Sequence, residues 1–379
     1  MENLLSYLRA GQPEMLTLIR RLVECESPSD DAAAVDRSVD LVAAEVAGIA
    51  RVETHPGGKF GRHMRIEFDL PGGKKSGQIL ALGHLDTVWP TGTLASMPFR
   101  EADGRLWGPG VFDMKAGVAF CIWAVRALRD LDLPVSRRLV LQLNSDEEVG
   151  SESSRAHTER EARNSAAVLV LEPAHGLDGK LKTGRKGVGG FTVTVEGRPA
   201  HAGLDFEAGA SAILELARQI DRIAGFTRLE RGITVNPGVV SGGSRTNVVA
   251  AEATAKFDFR ILRARDGPVV EKKFRGLRPF DRRCRLTVEG GLNRPPLERT
   301  PGVAALFRKA RAISRQMGIE LGEATVGGGS DGNFTAGLGV PTLDGLGAVG
   351  EGAHAAHESI LVDRIADRTA LIARLILEL

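Results

Sequence analysis

The chain has 379 residues, of which 42% are hydrophobic and 26% are charged. A chain of this length and composition is globular and exceeds one ordinary hydrophobic core, so we expect two domains. Its 50 Lys and Arg residues against 48 Asp and Glu residues leave a formal charge of +2, which argues against a nucleic-acid partner.

The cysteines and the N-terminal segment indicate the compartment. Cys25, Cys121 and Cys284 are odd in number, widely separated and without Cys-x-x-Cys spacing, so we expect them to be reduced core residues. No secretory signal and no apolar stretch of membrane-spanning length is visible in the sequence. We therefore expect a cytoplasmic protein without a membrane partner.

The first part of the chain alternates between helical and strand patterns. Apolar spacing predicts one helix over residues 4–23 and a second that ends before Gly48. Alternation predicts a strand over residues 64–68, and an apolar run predicts a buried strand over 79–82. A long helix is predicted from Ala116, directly after Asp113.

Three predicted strands are each followed by histidine or carboxylate side chains. His84 follows the strand over 79–82, the pair Glu147 and Glu148 follows a strand over 139–143, and Glu172 follows a strand over 168–171. Ligand sites in open α/β sheets lie beyond the carboxyl ends of the strands, so these side chains are expected to converge. Asp86, two residues after His84, points to the same side and is expected to accept the second N–H of that imidazole.

From residue 184 onwards the pattern changes to strand, helix, two strands, helix and strand. The predicted order is a strand over 187–195, a helix over 208–223, strands over 234–240 and 253–262, a helix over 269–276 and a strand over 284–288. This is the order of a ferredoxin-like α+β unit, whose sheet can leave an edge for pairing with another copy. We therefore predict an α/β domain formed by residues 1–183 and 292–379, interrupted by an inserted domain over 184–291.

The candidate metal ligands combine imidazole and carboxylate groups, which suit a divalent ion such as zinc. Two ions close together need a bridging carboxylate and roughly two further ligands each, and Asp113 is the natural bridge. If the backbone is extended at the adjacent Glu147 and Glu148, only one of them can bind an ion, and the other would stand beside the metal-bound water. The candidates are His84, Asp113, Glu148, Glu172 and one C-terminal histidine.

Each motif alone has a simpler interpretation. The Glu147-Glu148 pair would suit a solvated surface, and Asp113 would suit an ordinary helix cap. The remaining histidines lie in polar stretches, and we predict that they are at the surface: His55, His63, His157 and His175.

In series, however, the motifs resemble the M20 metallopeptidases, most closely the glutamate carboxypeptidase (carboxypeptidase G) branch. The resemblance covers nearly the whole chain. It rests on Gly83–Val88, Gly110–Lys115, Asp146–Ser151, Leu171–Pro173, Gly352–His354 and the Gly-rich segment Gly327–Asn333. It implies a zinc-dependent exopeptidase-like catalytic domain with an inserted ferredoxin-like dimerisation (lid) domain.

The resemblance also implies a role for each site residue. Asp113 would bridge two zinc ions, His84 and Glu172 would bind one, and Glu148 and His354 the other. Glu147 would be the general base and Asp86 the partner of His84. The family motif has Pro and Asp where this chain has Ala356 and His357, so His357 is an alternative ligand; we favour His354 because it keeps the family spacing to Glu358.

Further positions match family residues that contact the substrate or the oxyanion. His201 matches a histidine that stabilises the tetrahedral oxyanion in the partner subunit of a homodimer. Asn247 and Arg260 match residues that hold the substrate carboxylate. The loop containing Gly328 and Ser330 offers backbone N–H groups for the same anion.

The sequence therefore predicts a dizinc metallohydrolase. It would cleave the amide bond to a C-terminal amino acid, with glutamate as the candidate, in small peptides or N-acyl amino acids, with Co²⁺ or Mn²⁺ as alternative metals. An alternative is an N-acyl amino acid deacylase of the aminoacylase or desuccinylase type. A third interpretation is a metal-free binding or assembly module.

Overall fold

The chain divides into two units, each with its own hydrophobic core. The computed structural model describes residues 2–379. The first unit comprises the chain up to Gly184 together with Arg299–Val326 and Ser330–Leu379. The second unit comprises Arg185–Glu298 and Gly327–Gly329.

The strands, in chain order, are β1 (Ala50–Pro56), β2 (Arg62–Phe68), β3 (Gln78–His84), β4 (Arg100–Ala102), β5 (Arg105–Trp107), β6 (Arg138–Asn144), β7 (Ala167–Val170), β8 (Leu181–Arg185), β9 (Gly187–Glu196), β10 (Thr234–Gly242), β11 (Glu252–Ile261), β12 (Arg285–Arg294), β13 (Glu323–Val326), β14 (Thr342–Leu343), β15 (Gly350–Glu351) and β16 (Ser359–Leu361). The α-helices are α1 (Glu2–Ala10), α2 (Gln12–Glu24), α3 (Ala32–Glu45), α4 (Ala116–Asp130), α5 (Arg155–Arg163), α6 (Ala212–Ala224), α7 (Gly267–Arg275), α8 (Pro301–Gln316), α9 (Gly332–Gly337) and α10 (Ile365–Glu378).

A six-stranded mixed sheet with the order β1-β2-β6-β3-β7-β14 forms the centre of the first unit. Strands β1, β2 and β6 pair antiparallel, whereas β6, β3, β7 and β14 pair parallel. Every residue of β3 and β7 is buried, as expected for strands covered on both faces. Since β6, β3 and β7 are parallel neighbours, their carboxyl ends lie at one edge of the sheet.

Helix α4 packs close to that edge. Its Gly117 approaches the end of β7 so closely that a Cβ atom there would lie 2.1 Å from the carbonyl oxygen of Leu171. Glycine is therefore required at this position. The close approach brings the residues that precede α4, including Asp113, near the residues that follow β7.

One predicted helix is two helices in the structure. The segment predicted as a single helix over residues 4–23 breaks at Gly11 into α1 and α2. Pro13 lies in the first turn of α2, where its missing N–H has no intrahelical partner to lose. In a continuous helix the same proline would clash with the preceding turn, so the helix ends before it.

The second unit has the predicted ferredoxin-like topology. Its elements follow the order β9, α6, β10, β11, α7 and β12, and its antiparallel sheet has the strand order β10-β11-β9-β12. Strand β12 is longer than predicted, because Gly290 and Gly291 pair with Phe191 and Gly190 of β9 and do not form a turn. The prediction of an α/β domain combined with a ferredoxin-like unit is confirmed.

Membrane-spanning helices are absent from residues 2–379, where no helix combines sufficient length with sufficient apolar character.

A buried arginine holds the C-terminal helix of the first unit. Arg368 of α10 is 2% exposed. Its Nε donates to the carbonyl of Gly347 and its Nη1 to that of Gly179, both at 3.0 Å, and its Nη2 donates to Gly345. Burial lowers the pKa of Arg368 to about 10, yet the guanidinium remains charged at neutral pH. It therefore links α10 to two loops that lack regular structure.

We expect Arg368→Leu to lower the free energy of unfolding by about 3 kcal/mol or more, because it leaves three carbonyl groups without their donor. The exposed Arg308→Leu in α8 is the matched control, with an expected change below about 0.5 kcal/mol. Urea unfolding of both variants measures the difference. Equal stability of the two variants would contradict the role of Arg368.

Candidate metal centre

The side chains that follow the three central strands lie close together at one edge of the sheet. His84 is the last residue of β3, Glu172 follows β7 by two residues, and Glu148 lies in a short 3₁₀ turn after β6. Asp113 lies in the turn Val111–Lys115 that leads into α4. Distant parts of the sequence therefore supply neighbouring polar groups, as predicted.

The first ligand group contains His84, Asp113 and Glu172. Nε2 of His84 lies 3.4 Å from Oδ1 of Asp113 and 3.7 Å from Oε1 of Glu172. The His84 side chain is 1% exposed and that of Glu172 8%. The three ligand atoms converge in a largely dry environment.

The second ligand group contains Asp113, Glu148 and His354. Nε2 of His354 lies 3.2 Å from Oε2 of Glu148 and 3.6 Å from Oδ2 of Asp113. The His354 side chain is 50% exposed, so this group is the more accessible of the two. Asp113 thus offers one carboxylate oxygen to each group.

The atoms of both groups fit divalent metal ions. Three of the buried atoms have no hydrogen-bond partner among residues 2–379: Nε2 of His84, Oδ1 of Asp113 and Oε1 of Glu148. Buried polar atoms without partners are rare, and a bound ion would satisfy all three. One imidazole and two carboxylates per group is a donor set that zinc and similar metals accept.

The close spacing of histidine and carboxylate groups shifts pKa values at this site. Burial alone would lower the pKa of His84, but the carboxylates of Asp113 and Asp86 raise it well above the usual value. The carboxylates of Asp113 and Glu148 raise the pKa of His354 to about 10. Burial opposes the charged form of Asp113, yet the two histidines hold its pKa far below the usual range. A metal ion would replace protons as the positive charge at this site.

Asp86 supports the site in a way that its spacing did not fully predict. Nδ1 of His84 lies 2.9 Å from the backbone carbonyl of Asp86 and 3.5 Å from its carboxylate. The carboxylate accepts the backbone N–H groups of Glu147 and Glu148, both at 3.2 Å, and the hydroxyl of Ser29 at 2.6 Å. Asp86 therefore orients His84 mainly through its backbone and anchors the turn after β6 through its side chain.

The backbone at Glu147 and Glu148 is a 3₁₀ turn and not the extended segment on which the sequence argument relied. The turn separates the two side chains: Glu148 belongs to the second ligand group and Glu147 to neither. The Glu147 side chain is buried with the rest of the residue, which is 9% exposed.

Glu358 supports the backbone around Asp113, a role that the sequence did not reveal. In the sequence it served only to fix the family spacing from His354. It is fully buried, and its carboxylate accepts the N–H groups of Gly110, Phe112 and Asp113 at 2.9–3.0 Å and the indole N–H of Trp89 at 2.8 Å. These bonds fix the backbone on both sides of the shared aspartate. No local pattern indicates this role, because the partners are about 250 residues away.

The turn before Glu358 presents His354. In this turn the N–H of Ala355 donates to the carbonyl of Gly352, and the N–H of Glu358 donates to the carbonyl of Ala355. Gly352 has φ +82°, and a Cβ atom there would lie 2.9 Å from the Glu358 backbone, so the turn requires glycine. His357 is exposed and belongs to neither ligand group.

The predicted substrate contacts belong to both units. His201, Asn247, Arg260 and Gly328 lie in the second unit and Ser330 in the first. His201 is exposed, and its Nδ1 accepts the N–H groups of Gly203 and Leu204 at 3.1 and 3.2 Å.

Arg260 pairs with Asp258, its Nε lying 2.9 and 3.1 Å from the two carboxylate oxygens. The carbonyls of Gly328 and Gly329 accept hydrogen bonds from the Arg185 guanidinium. Ser330 is fully buried, its N–H donates to Asn333 and its hydroxyl donates to Asp344. Ser330 therefore holds its own turn.

Three of the histidines predicted at the surface form a cluster. The rings of His55 and His157 stack with centroids 4.4 Å apart, and that of His63 lies 5.9 Å from His157. His63 is fully buried, so the prediction for it was wrong: its segment contains the charged Arg62 and Arg65, but β2 pairs with β6 there. His175 is exposed, as predicted.

The chain is similar to known proteins in sequence and in structure. The sequence matches the peptidase family M20/M25/M40 over residues 80–378. It is 28% identical to carboxypeptidase G2 of Pseudomonas sp. (strain RS-16) over 377 residues, covering 97% of this chain and 90% of that protein. It is 30% identical to succinyl-diaminopimelate desuccinylase of Roseobacter denitrificans over 324 residues, covering 78% and 81%. The structure resembles aminopeptidase PepT from Bacillus cereus with a TM-score of 0.79 at 22% identity, covering 97% and 98%.

We expect Glu358→Gln to weaken metal binding by about 10- to 100-fold, because an amide cannot accept from all four donors and the backbone around Asp113 loses its anchor. Glu351→Gln, at a half-exposed neighbour paired with Arg105, is the control. Metal titration of the two apo-proteins gives the comparison. Equal affinities would show that the Glu358 contacts do not position Asp113.

We expect His354→Ala to bind less metal than the unaltered protein and His357→Ala to bind the same amount, because only His354 belongs to a ligand group. Metal per chain after equilibrium dialysis, measured by mass spectrometry, tests the assignment. The reverse result would make His357 the ligand.

Proposed function

Because the chain belongs to peptidase family M20/M25/M40 and is a metallohydrolase of peptides or N-acyl amino acids, we propose that it removes a C-terminal amino acid from such substrates with two zinc ions. The candidate C-terminal residue is glutamate. The observation that carries the proposal is the pair of ligand groups that share Asp113.

In this proposal His84 and Glu172 would hold one ion, Glu148 and His354 would hold the other, and Asp113 would offer a carboxylate oxygen to each. Zinc at such a site supplies an acidified water molecule and polarises the scissile carbonyl. Cobalt and manganese are alternative occupants, because imidazole and carboxylate ligands also accept them.

Glu147 is the proposed general base. It belongs to neither ligand group, yet it adjoins Glu148 on a turn that Asp86 fixes. Its carboxylate takes a proton from the attacking water as the new C–O bond forms. It then returns the proton to the nitrogen as the C–N bond breaks, so that a carboxylic acid and an amine leave.

His201 is the proposed donor to the oxyanion. Because its Nδ1 accepts two backbone N–H groups, the ring proton lies on Nε2. An imidazole with a proton on Nε2 can donate a hydrogen bond to an oxyanion.

Arg260, Asn247 and the backbone at Gly328 are the proposed contacts of the substrate carboxylate. Asp258 fixes one edge of the Arg260 guanidinium, which limits its rotation. A planar, oriented guanidinium suits bidentate recognition of a carboxylate. Ser330 belongs to the same loop, where its N–H and hydroxyl hold the turn.

The alternative function is removal of an acyl group from an N-acyl amino acid. The similarity to succinyl-diaminopimelate desuccinylase favours it. Both functions hydrolyse the same kind of amide bond, and they differ in which side of the bond is recognised.

A panel of substrates separates the two functions. We would measure kcat/KM for acyl-glutamate, acyl-aspartate, acyl-leucine and N-succinyl substrates, each with its α-carboxylate free or amidated. A carboxypeptidase should lose nearly all activity on amidation while tolerating different acyl groups. Activity that follows the acyl group would favour the deacylase, and activity insensitive to a chelator would reject both.

We expect Glu147→Gln to lower kcat by about 10²- to 10⁴-fold without changing metal content, because the amide cannot accept the water proton. The exposed Glu152→Gln is the matched control and should keep full activity. Turnover and metal per chain are measured on the same samples. Substantial activity of Glu147→Gln would remove this residue from the mechanism.

We also propose a homodimer formed through the second unit. Strand β10 is an edge strand of its sheet, and Val239 and Val240 on it are 58% and 65% exposed. Exposed valines on an unpaired edge favour pairing with another copy.

If His201 serves the partner's site, inactive Glu147→Gln and His201→Ala chains should regain activity when mixed. Each mixed dimer then contains one complete site, so random exchange restores about one quarter of the unaltered activity. Activity after co-refolding measures this. No recovery despite demonstrated exchange would mean that His201 acts, if at all, within its own chain.

A reducing compartment such as the cytoplasm is proposed because Cys25, Cys121 and Cys284 are all free thiols. Cell fractionation with an antibody against the protein tests it; recovery only outside the cytoplasm would reject it.

A further inference from the structure

A buried histidine contacts the turn that carries Glu147 and Glu148 from behind. His63 lies on β2, the antiparallel neighbour of β6, so it is adjacent to the residues that follow β6. Its Nδ1 lies 3.2 Å from the backbone N of Ser145 and 2.8 Å from the Ser145 hydroxyl. The ring is fully buried.

The other ring nitrogen reaches the same turn through a serine. Nε2 of His63 lies 3.0 Å from the hydroxyl of Ser153, and that hydroxyl donates to Oδ2 of Asp146 at 2.7 Å. The same carboxylate oxygen accepts the backbone N–H of Ser153 at 2.7 Å. His63 is thus connected to the turn both at Ser145 and at Asp146.

These contacts are compatible with one protonation form only. The Ser145 N–H donates to Nδ1, so Nδ1 must be an acceptor and the ring proton must lie on Nε2. The Ser153 hydroxyl can then accept from Nε2 and donate onward to Asp146. A doubly protonated ring would direct Nδ1–H against the Ser145 N–H.

The surroundings favour the same form. Burial lowers the pKa of His63, and nearby His55 lowers it further, whereas Asp146, Asp86 and Asp331 oppose the shift. His157 contributes ring contact only, since its Nδ1 accepts from Arg160 on its own helix.

We propose that His63 is a positioning residue that fixes the Ser145–Glu148 turn and thereby orients the Glu147 and Glu148 carboxylates. The inference rests on the proposed function, in which Glu147 is the general base. Asp86 holds the N–H groups of Glu147 and Glu148. His63 holds the preceding two residues, so the whole turn is fixed from two directions.

The test is His63→Phe, which keeps a planar ring but removes both nitrogens. At saturating metal and with metal content unchanged, we expect kcat to fall about 10- to 100-fold. A general base displaced by about 1 Å slows the reaction by a factor of this size. KM should stay within about threefold, since substrate contacts are not altered. His157→Phe is the control: it changes the neighbouring ring without touching the turn and should keep kcat.

Ser153→Ala provides a second test that does not depend on replacing a large buried ring. Ser153→Ala should lower kcat by a smaller factor than His63→Phe does. The double variant should have the same kcat as His63→Phe alone, because both substitutions act through one set of contacts. Lower stability with unchanged kcat, or additive effects of the two substitutions, would overturn the proposal. Loss of activity in Glu147→Gln alongside full activity in His63→Phe would reject only the His63 inference, whereas an active Glu147→Gln would reject the proposed function itself.

Discussion

The site depends on one carboxylate that faces two ligand groups at once. Asp113 directs one oxygen toward His84 and the other toward His354, with Glu172 and Glu148 on either side. So many acidic groups in a buried space repel one another, and positive charge must accompany them. Without a metal ion, the neighbouring carboxylates raise the pKa of both imidazole rings, which favours their positively charged forms. A pair of divalent ions meets the same requirement more fully.

Two carboxylates that belong to neither ligand group determine the geometry of those that do. Asp86 accepts backbone N–H groups from the Glu147–Glu148 turn, and Glu358 accepts them from the segment that contains Asp113. In both cases a buried negative charge is stabilised by backbone amides, and the amides lose the freedom to move. Hydrogen bonds to the backbone thus convert loops, which are usually variable, into rigid supports. The hydrogen-bonding role of these two residues explains why they are almost fully buried although they lie beside a negatively charged site.

Four residues of the candidate centre were predictable because each adjoins a regular element, whereas His354 was chosen through the family resemblance. His84 and Glu172 follow apolar strands whose period is clear, and Asp113 precedes a long helix, so order along the chain implied position in space. The supporting contacts were not predictable, because the partners of Glu358 and His63 become neighbours only through sheet pairing and loop packing. The length of β12 was missed for a related reason, because Gly290 and Gly291 pair with β9. The break between α1 and α2 has a local cause, since the ring of Pro13 would clash with the preceding turn of a continuous helix.

All five candidate ligands and both supporting carboxylates belong to the first unit, whereas His201, Asn247 and Arg260 belong to the second. The two units have separate hydrophobic cores. The residues proposed for the oxyanion and the substrate carboxylate lie outside both candidate ligand groups. This separation gives a physical reason why proteins named as carboxypeptidase and desuccinylase can resemble the same chain. One arrangement of catalytic residues can serve different substrates when the residues that recognise the substrate differ.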